Sequence, residues 1–343
     1  MLTKIFRNLV AGAVAGLVLA GGALAQDRIT LRFSVGANDS ATDGMALGIK
    51  AMRDYIEFRS NGRIQVRLFF NTMGGSLQVT EQVKNGGLDF ALTDDSVLGS
   101  FYKPMQAFQI PYLFPSSPVA WEFMNSKFMR DMTEDMRKAT GIRTLALSEN
   151  GFRNITNNVR EIKTPEDMKG LKMRTMQSQV YVNFMQSMGA SATPIAFPEL
   201  VPALKSNVVD GQENASTTVV DGKLYEVQKF MSVNEHIYGM HLIIFNDAKF
   251  RSLSPDFQKI IVEGARLHAE VANSRKTFDA MGAINKIREA GTRVHVTSPS
   301  EKERFRQVTQ KPVIDFIATQ AGRDVVDRVL AAAEEARRAV YGE

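Results

Sequence analysis

The stretch Gly151-Phe152-Arg153-Asn154-Ile155-Thr156-Asn157, followed by Lys163-Thr164-Pro165-Glu166-Asp167-Met168-Lys169-Gly170-Leu171-Lys172-Met173-Arg174 and then by Val209-Asp210-Gly211-Gln212-Glu213-Asn214, carries two arginines and an amide close to strand ends. An arginine presents a planar fork of donors that matches the two oxygens of a carboxylate, so it fixes orientation as well as charge. The combination of Arg153, Arg174 and Asn214 is therefore suited to gripping an acid. Composition alone allows a plainer role for Arg174, a solvated arginine at a strand end. Arg153 could equally pair with a structural acid. Glu213 would repel an anion if it pointed inward, so it is expected to be structural or to bind a hydroxyl at best.

Outward from this stretch, strands and helices alternate. Ile29, Leu31, Phe33 and Val35 alternate as a half-buried strand does, and Met45, Ile49, Met52 and Ile56 then recur at helical spacing before Asn61-Gly62. Ile64 to Phe70 reads as a second strand, 76–84 as a helix and 88–93 as a third strand, an order that predicts right-handed crossovers and a mostly parallel sheet. A single helix is expected over 120–139, its Met124, Phe128, Met132 and Met136 stripe belonging to the core. Strands are expected at 143–147, 171–174 and 237–245. Ser254-Pro255-Asp256 opens a helix that runs to Gly291, with proline at its first position. More than thirty helical residues span roughly 50 Å, so this helix is expected to cross between domains or act as a spine.

The amino terminus has the pattern of a secretory signal: Lys4 and Arg7, an apolar run from Leu9 to Gly22, then Ala23-Leu24-Ala25 as a cleavage site. Removing those 25 of the 343 residues leaves 318 and takes away two basic residues, lowering the formal charge from +5 to +3. The remaining basic residues are scattered, which argues against nucleic acid as a partner. With no cysteine, disulfides, thiolate metal sites and thiol nucleophiles are excluded.

The segments between Asn150 and Asn214 resemble the periplasmic solute-binding subunit of tripartite ATP-independent (TRAP) transporters, the DctP-like family, and the resemblance extends over nearly all of the mature chain. It implies an α/β fold of the two-lobed periplasmic binding protein type (type II-like), two α/β domains joined by hinge strands and long helices. Residues 1–25 would be the signal peptide, 26–149 with about 241–278 lobe I, and 150–240 with about 279–310 lobe II. Residues 311–343 would form C-terminal helices packing across the lobes. In such proteins the arginine matching Arg174 pairs with the ligand carboxylate, the one matching Arg153 lies at the site edge, and the amide matching Asn214 aims at the carboxylate or a neighbouring hydroxyl. The resemblance also implies a periplasmic monomer that hands a small organic acid to integral-membrane subunits, without catalysis, cofactor or metal.

Ligands of open α/β sheets bind beyond the carboxyl ends of strands. That rule adds Asn38 and Asp39 after the first strand and Asp94 and Asp95 after the third. An aspartate there is a good N-cap for the next helix; alternatively one carboxylate accepts hydrogen bonds from ligand hydroxyls. His241 joins the candidates, with a buried, satisfied histidine as its plainer reading. Acidic candidates outnumber a second certain cation, which leans the ligand toward a hydroxylated or sugar acid and away from a C4-dicarboxylate. Two rival readings stand: a periplasmic hydrolase using carboxylates such as Asp94 and Asp95, and an accessory that presents its ligand to a sensor. Against an enzyme, the four histidines lack metal-ligand spacing, and no phosphate loop or Gly-x-Ser-x-Gly element occurs.

Overall fold

The computed structural model describes residues 28–36 and 38–342; the expected signal segment lies outside the described residues. The first half runs β1 (Ile29–Val35), α1 (Gly44–Arg59), β2 (Ile64–Phe70), α2 (Ser76–Lys84), β3 (Phe90–Asp94), the one-turn α3 (Asp95–Leu98), α4 (Ser117–Asn125) and α5 (Lys127–Thr140). Next come β4 (Ile142–Asn157), β5 (Lys172–Thr175), α6 (Gln179–Ser187), β6 (Ser191–Pro194), α7 (Phe197–Lys205), β7 (Gly211–Ala215), α8 (Ser216–Asp221) and β8 (Phe230–Val233). The chain ends with β9 (Tyr238–Asn246), α9 (Asp247–Arg251), α10 (Pro255–Glu289), β10 (Arg293–Val296), α11 (Pro299–Ala321) and α12 (Arg323–Tyr341).

The strands follow the order β2-β1-β3-β9-β4-β7-β5-β6, with β8 bridging β4 and β10. Strands β1, β2 and β3 are parallel, as the alternation predicts. The centre is not: β9 enters antiparallel to both β3 and β4. Periodicity fixes which side chains share a face and carries no strand direction, so the mostly parallel expectation fails where a strand returns from far along the chain.

The expected five-residue strand at 143–147 is the start of β4, a strand of 16 residues spanning roughly 50 Å at ~3.3 Å each. Its first part pairs with β9 and its last part with β7 and β8, so one strand runs through both halves of the sheet. Its register against β9 slips between Thr144 and Ala146 and again between Glu149 and Gly151. Such irregularities bend and twist a strand. Gly151, at φ 106°, occupies backbone space that a Cβ disfavours.

The single helix expected over 120–139 is two. Ser126 ends α4 in extended conformation, and its hydroxyl accepts from Met129 N to cap α5. The methionine stripe does lie in the core, with Met124, Met132 and Met136 buried. Helix α10 is 35 residues long and packs on α1, β4 and α8, running alongside both halves of the sheet. Helix α11 lies on α6, and α12 on α4. One hydrophobic cluster joins β1, β2, β3, α1 and the start of α10, a second fills the space under α7 and α8, and the largest gathers the helices of residues 105–136, α6, α11 and α12.

Candidate functional site

Five strands adjacent in the sheet, β3-β9-β4-β7-β5, carry Asp94, His241, Arg153, Asn214 and Arg174 respectively. These side chains line a common cleft of about 920 Å³, mouth included. Loops and helices close its sides: Asn38 and Asp43 before α1, Ser76 of α2, Phe197 of α7, Thr218 and Asp221 of α8, and Lys276 of α10. At the rim Gly75 comes so near α7 that a Cβ there would sit 2.9 Å from Ala196 Cβ.

Arg174 is 2% exposed; its Nε donates to the Ile195 carbonyl at 2.8 Å, and its buried Nη1 has no partner among the described residues. Burial, together with the positive charge of Arg153, pulls its pKa down to about 10 in spite of the Glu213 carboxylate. A second carboxylate in the cleft would relieve that penalty.

Arg153 is also buried but is already engaged. Its Nε and Nη2 hold Glu213 Oε2 and Oε1 at 2.5 and 3.0 Å, and Nη2 also donates to the Glu213 carbonyl at 2.8 Å. Burial works to lower the Arg153 pKa, and Glu213 more than offsets it, so the shift is upward. Glu213 lies 3.3 Å from His236 Nε2 as well. Of the two roles the sequence left open for this acid, structural or hydroxyl-binding, its pairing with Arg153 favours the structural one. The Nη1 of Arg153, like that of Arg174, is buried without a hydrogen-bond partner among the described residues while its residue lines the cleft.

Asn214 donates to Gln212 Oε1 at 3.0 Å, and Gln212 in turn donates to Thr156 Oγ1 at 2.8 Å, so the amide is braced from behind by its own strand and β4. Asn38 lines the cleft with its Oδ1 held by Asn71 Nδ2 at 2.9 Å. Asp39, the next residue, is outside the lining: it is largely exposed and paired with Lys50 Nζ at 2.5 Å.

Asp94 and Asp95 face opposite ways. Asp94 Oδ2 accepts from the Ser76 hydroxyl, and Oδ1 lies 3.2 Å from His241 Nε2, its cross-strand neighbour on β9. Burial works against the charged form, but the His241 and Ser76 hydrogen bonds outweigh it and hold the carboxyl at about 2. Although Asp94 is at the N-cap position of α3, its side chain makes no capping bond. Asp95 leaves the cleft instead: Oδ1 accepts from Met240 N at 3.0 Å, and Oδ2 is buried without a hydrogen-bond partner among the described residues. Burial, reinforced by the Asp94 charge, pushes it up to about 7.

The cleft contains residues that local sequence signals did not single out. Lys276 is 3% exposed and donates to Thr217 Oγ1 and Asp221 Oδ2, both at 3.2 Å. Asn150 accepts from Thr218 Oγ1 at 3.1 Å, tying α8 to β4. Chemically, the cleft offers two partly satisfied guanidinium groups, braced amides and hydrogen-bonding carboxylates, a set that can hold an anion through one group and hydroxyls through others.

The sequence profile of DctP, the bacterial extracellular solute-binding protein family 7, matches residues 35–320. The chain belongs to this family. It is 29% identical over 303 residues to the 2,3-diketo-L-gulonate-binding periplasmic protein YiaO of Escherichia coli K12, covering 88% of this chain and 91% of that one. The sugar acid binding protein DctPAm of Advenella mimigardefordensis, solved with galactonate, superposes with a TM-score of 0.86 at 27% identity, covering 90% of this chain and 99% of the other. A TRAP periplasmic solute binding protein of Polaromonas sp. JS666, bound to D-erythronate, superposes at 0.83 with 28% identity over 89% and 99% of the two chains. These structures bear out the two-lobed α/β expectation. Among the described residues no helix is long and apolar enough to cross a membrane.

Proposed function

We propose that this protein is the periplasmic solute-binding subunit of a TRAP transporter, secreted through removal of residues 1–25, and that it captures a small hydroxylated monocarboxylate and delivers it to membrane subunits. The observation that carries the proposal is that Arg153 and Arg174, both buried, line one cleft and each keeps an Nη1 with no hydrogen-bond partner among the described residues. Burying a guanidinium donor without a partner costs free energy that a carboxylate returns. Asn214 then orients the carboxylate, and Asp94, paired to His241 and Ser76, accepts from hydroxyls. The names of the relatives support an acid of this class: a diketogulonate, a galactonate and an erythronate all join one carboxylate to oxygenated carbons.

Capture couples to closure. The ligand touches strands from both halves of the sheet, so it favours the arrangement in which those contacts coexist, and excluding water strengthens the arginine pairing. The test is a thermal-shift screen of residues 26–343 against aldonic, uronic, keto and dicarboxylic acids. One acid class should raise the melting temperature, and Arg174→Ala should weaken that binding by about 3 kcal/mol or more, the loss for a desolvated charge pair. Unchanged affinity in the variant would end the proposal.

A further inference from the structure

The charges of the cleft fall into two groups. Glu213, Arg153 and Asp94 are the main ones acting on Arg174, whereas Lys276, Asp43 and Asp279 are the main ones acting on Asp221. The second group lies on helices α8 and α10 and the approach to α1, elements other than the strands that carry the arginines, although both helices pack on β4. At its centre is Lys276, a buried ammonium within the cleft lining. Left alone, it would be a second anion site, and the cleft would suit a diacid. It is not alone. Its Nζ donates to Asp221 Oδ2 and Thr217 Oγ1, each at 3.2 Å, which uses two of its three N–H groups. Asp43 lines the same part of the cleft, buried and committed to capping α1 through Met45 N at 2.8 Å.

We infer that Asp221 sets ligand specificity by neutralising Lys276, so that this end of the cleft accepts hydroxyl oxygens and turns away a second carboxylate. The inference rests on the reading that the first carboxylate binds at Arg174. A hydroxyl can accept the remaining Lys276 N–H and donate to an Asp221 oxygen at once. A carboxylate can only accept, and it would meet the charges of Asp221 and Asp43 in a partly desolvated space, where like charges repel strongly. Selection against the diacid thus comes from a repulsive element, and its removal should be visible as a gain.

The experiment compares D-galactonate with galactarate, which keeps the secondary hydroxyls and carries a second carboxylate in place of the primary alcohol, by calorimetric titration of the mature protein and of Asp221→Asn. The isosteric change keeps an oxygen for Lys276 and removes the charge. The wild-type protein should prefer galactonate by tenfold or more, and Asp221→Asn should shift the preference toward galactarate by at least tenfold. Adding Lys276→Gln to that variant should abolish the gain, returning the galactarate-to-galactonate ratio toward its wild-type value. A wild-type preference for galactarate, or an unchanged ratio in a folded Asp221→Asn protein, would overturn the inference and leave the Arg174 reading intact. Binding of neither acid to wild type, with no acid in the wider screen sensitive to Arg174→Ala, would overturn both.

Discussion

Replacing Glu213 by glutamine should cost more stability than its size suggests. The carboxylate is fully buried, receives two hydrogen bonds from the Arg153 side chain at 2.5 and 3.0 Å, and lies 3.3 Å from His236. Glutamine keeps the volume and removes the charge, so the 1%-exposed guanidinium of Arg153 is left buried without its paired carboxylate. Breaking a buried pair in this way costs about 3–5 kcal/mol. With ~2.1 cal/mol/K of unfolding entropy per residue, a protein of residues 26–343 loses roughly 6 °C of melting temperature for about 4 kcal/mol. Arg153→Met should cost a similar amount, because it strands Glu213 instead. The double variant should lose less than the sum of the two, by about 2 kcal/mol, since neither charge is then left alone. Equilibrium unfolding of the four proteins measures all three differences. Single losses that add to within ~0.5 kcal/mol would refute the reasoning, because they would mean that the two side chains are not coupled.

Two further outcomes are expected. Asp95 has a folded pKa of about 7, above the ~3.9 of an unfolded aspartate, so the native state binds its proton more tightly. Its contribution is complete below about pH 4 and is lost as pH rises through about 7, a change of at most roughly 4 kcal/mol at ~1.36 kcal/mol per pKa step. Asp95→Asn should therefore gain stability relative to wild type between pH 4 and 8, as denaturant unfolding at both values would reveal; a constant difference would contradict the assignment. At the rim, Gly75→Val adds bulk where a Cβ alone would lie 2.9 Å from Ala196 Cβ, and Gly75 has an ordinary φ of −80°, so backbone strain is not involved. The variant should keep wild-type unfolding behaviour yet bind its acid at least tenfold more weakly by calorimetry, while undiminished affinity would show that the rim contact is not part of the bound form.

How far the sequence could be read follows the range of the interactions involved. Strand β1, helix α1 and the 35-residue α10 are written in local periodicity and caps, and each emerges at nearly its expected bounds. Arg153, Arg174 and Asn214 stand out because their segments carry a family resemblance, and their strands are consecutive in the sheet. Asp39 and Asp95 were indistinguishable from Asn38 and Asp94 in sequence, since the rule that ligands gather beyond strand ends names a neighbourhood and not a side-chain direction. Only the partners settle it: Lys50 draws Asp39 outward, and Met240 N holds Asp95 beneath β9. Lys276 was illegible for a different reason. Its partner Asp221 is 55 residues away, and a lysine in a long amphipathic helix has no local mark that separates a cleft ammonium from a solvated one. Strand β4 was underestimated because its bulges interrupt the alternation on which a strand is recognised.

Whether the buried arginines grip a carboxylate is read from calorimetric titration of residues 26–343 with the best acid of the screen and with the primary alcohol that replaces its carboxylate. The acid should occupy one site and the alcohol should bind at least ~100-fold more weakly, which corresponds to about 3 kcal/mol. Equal affinity for the two would contradict the carboxylate grip.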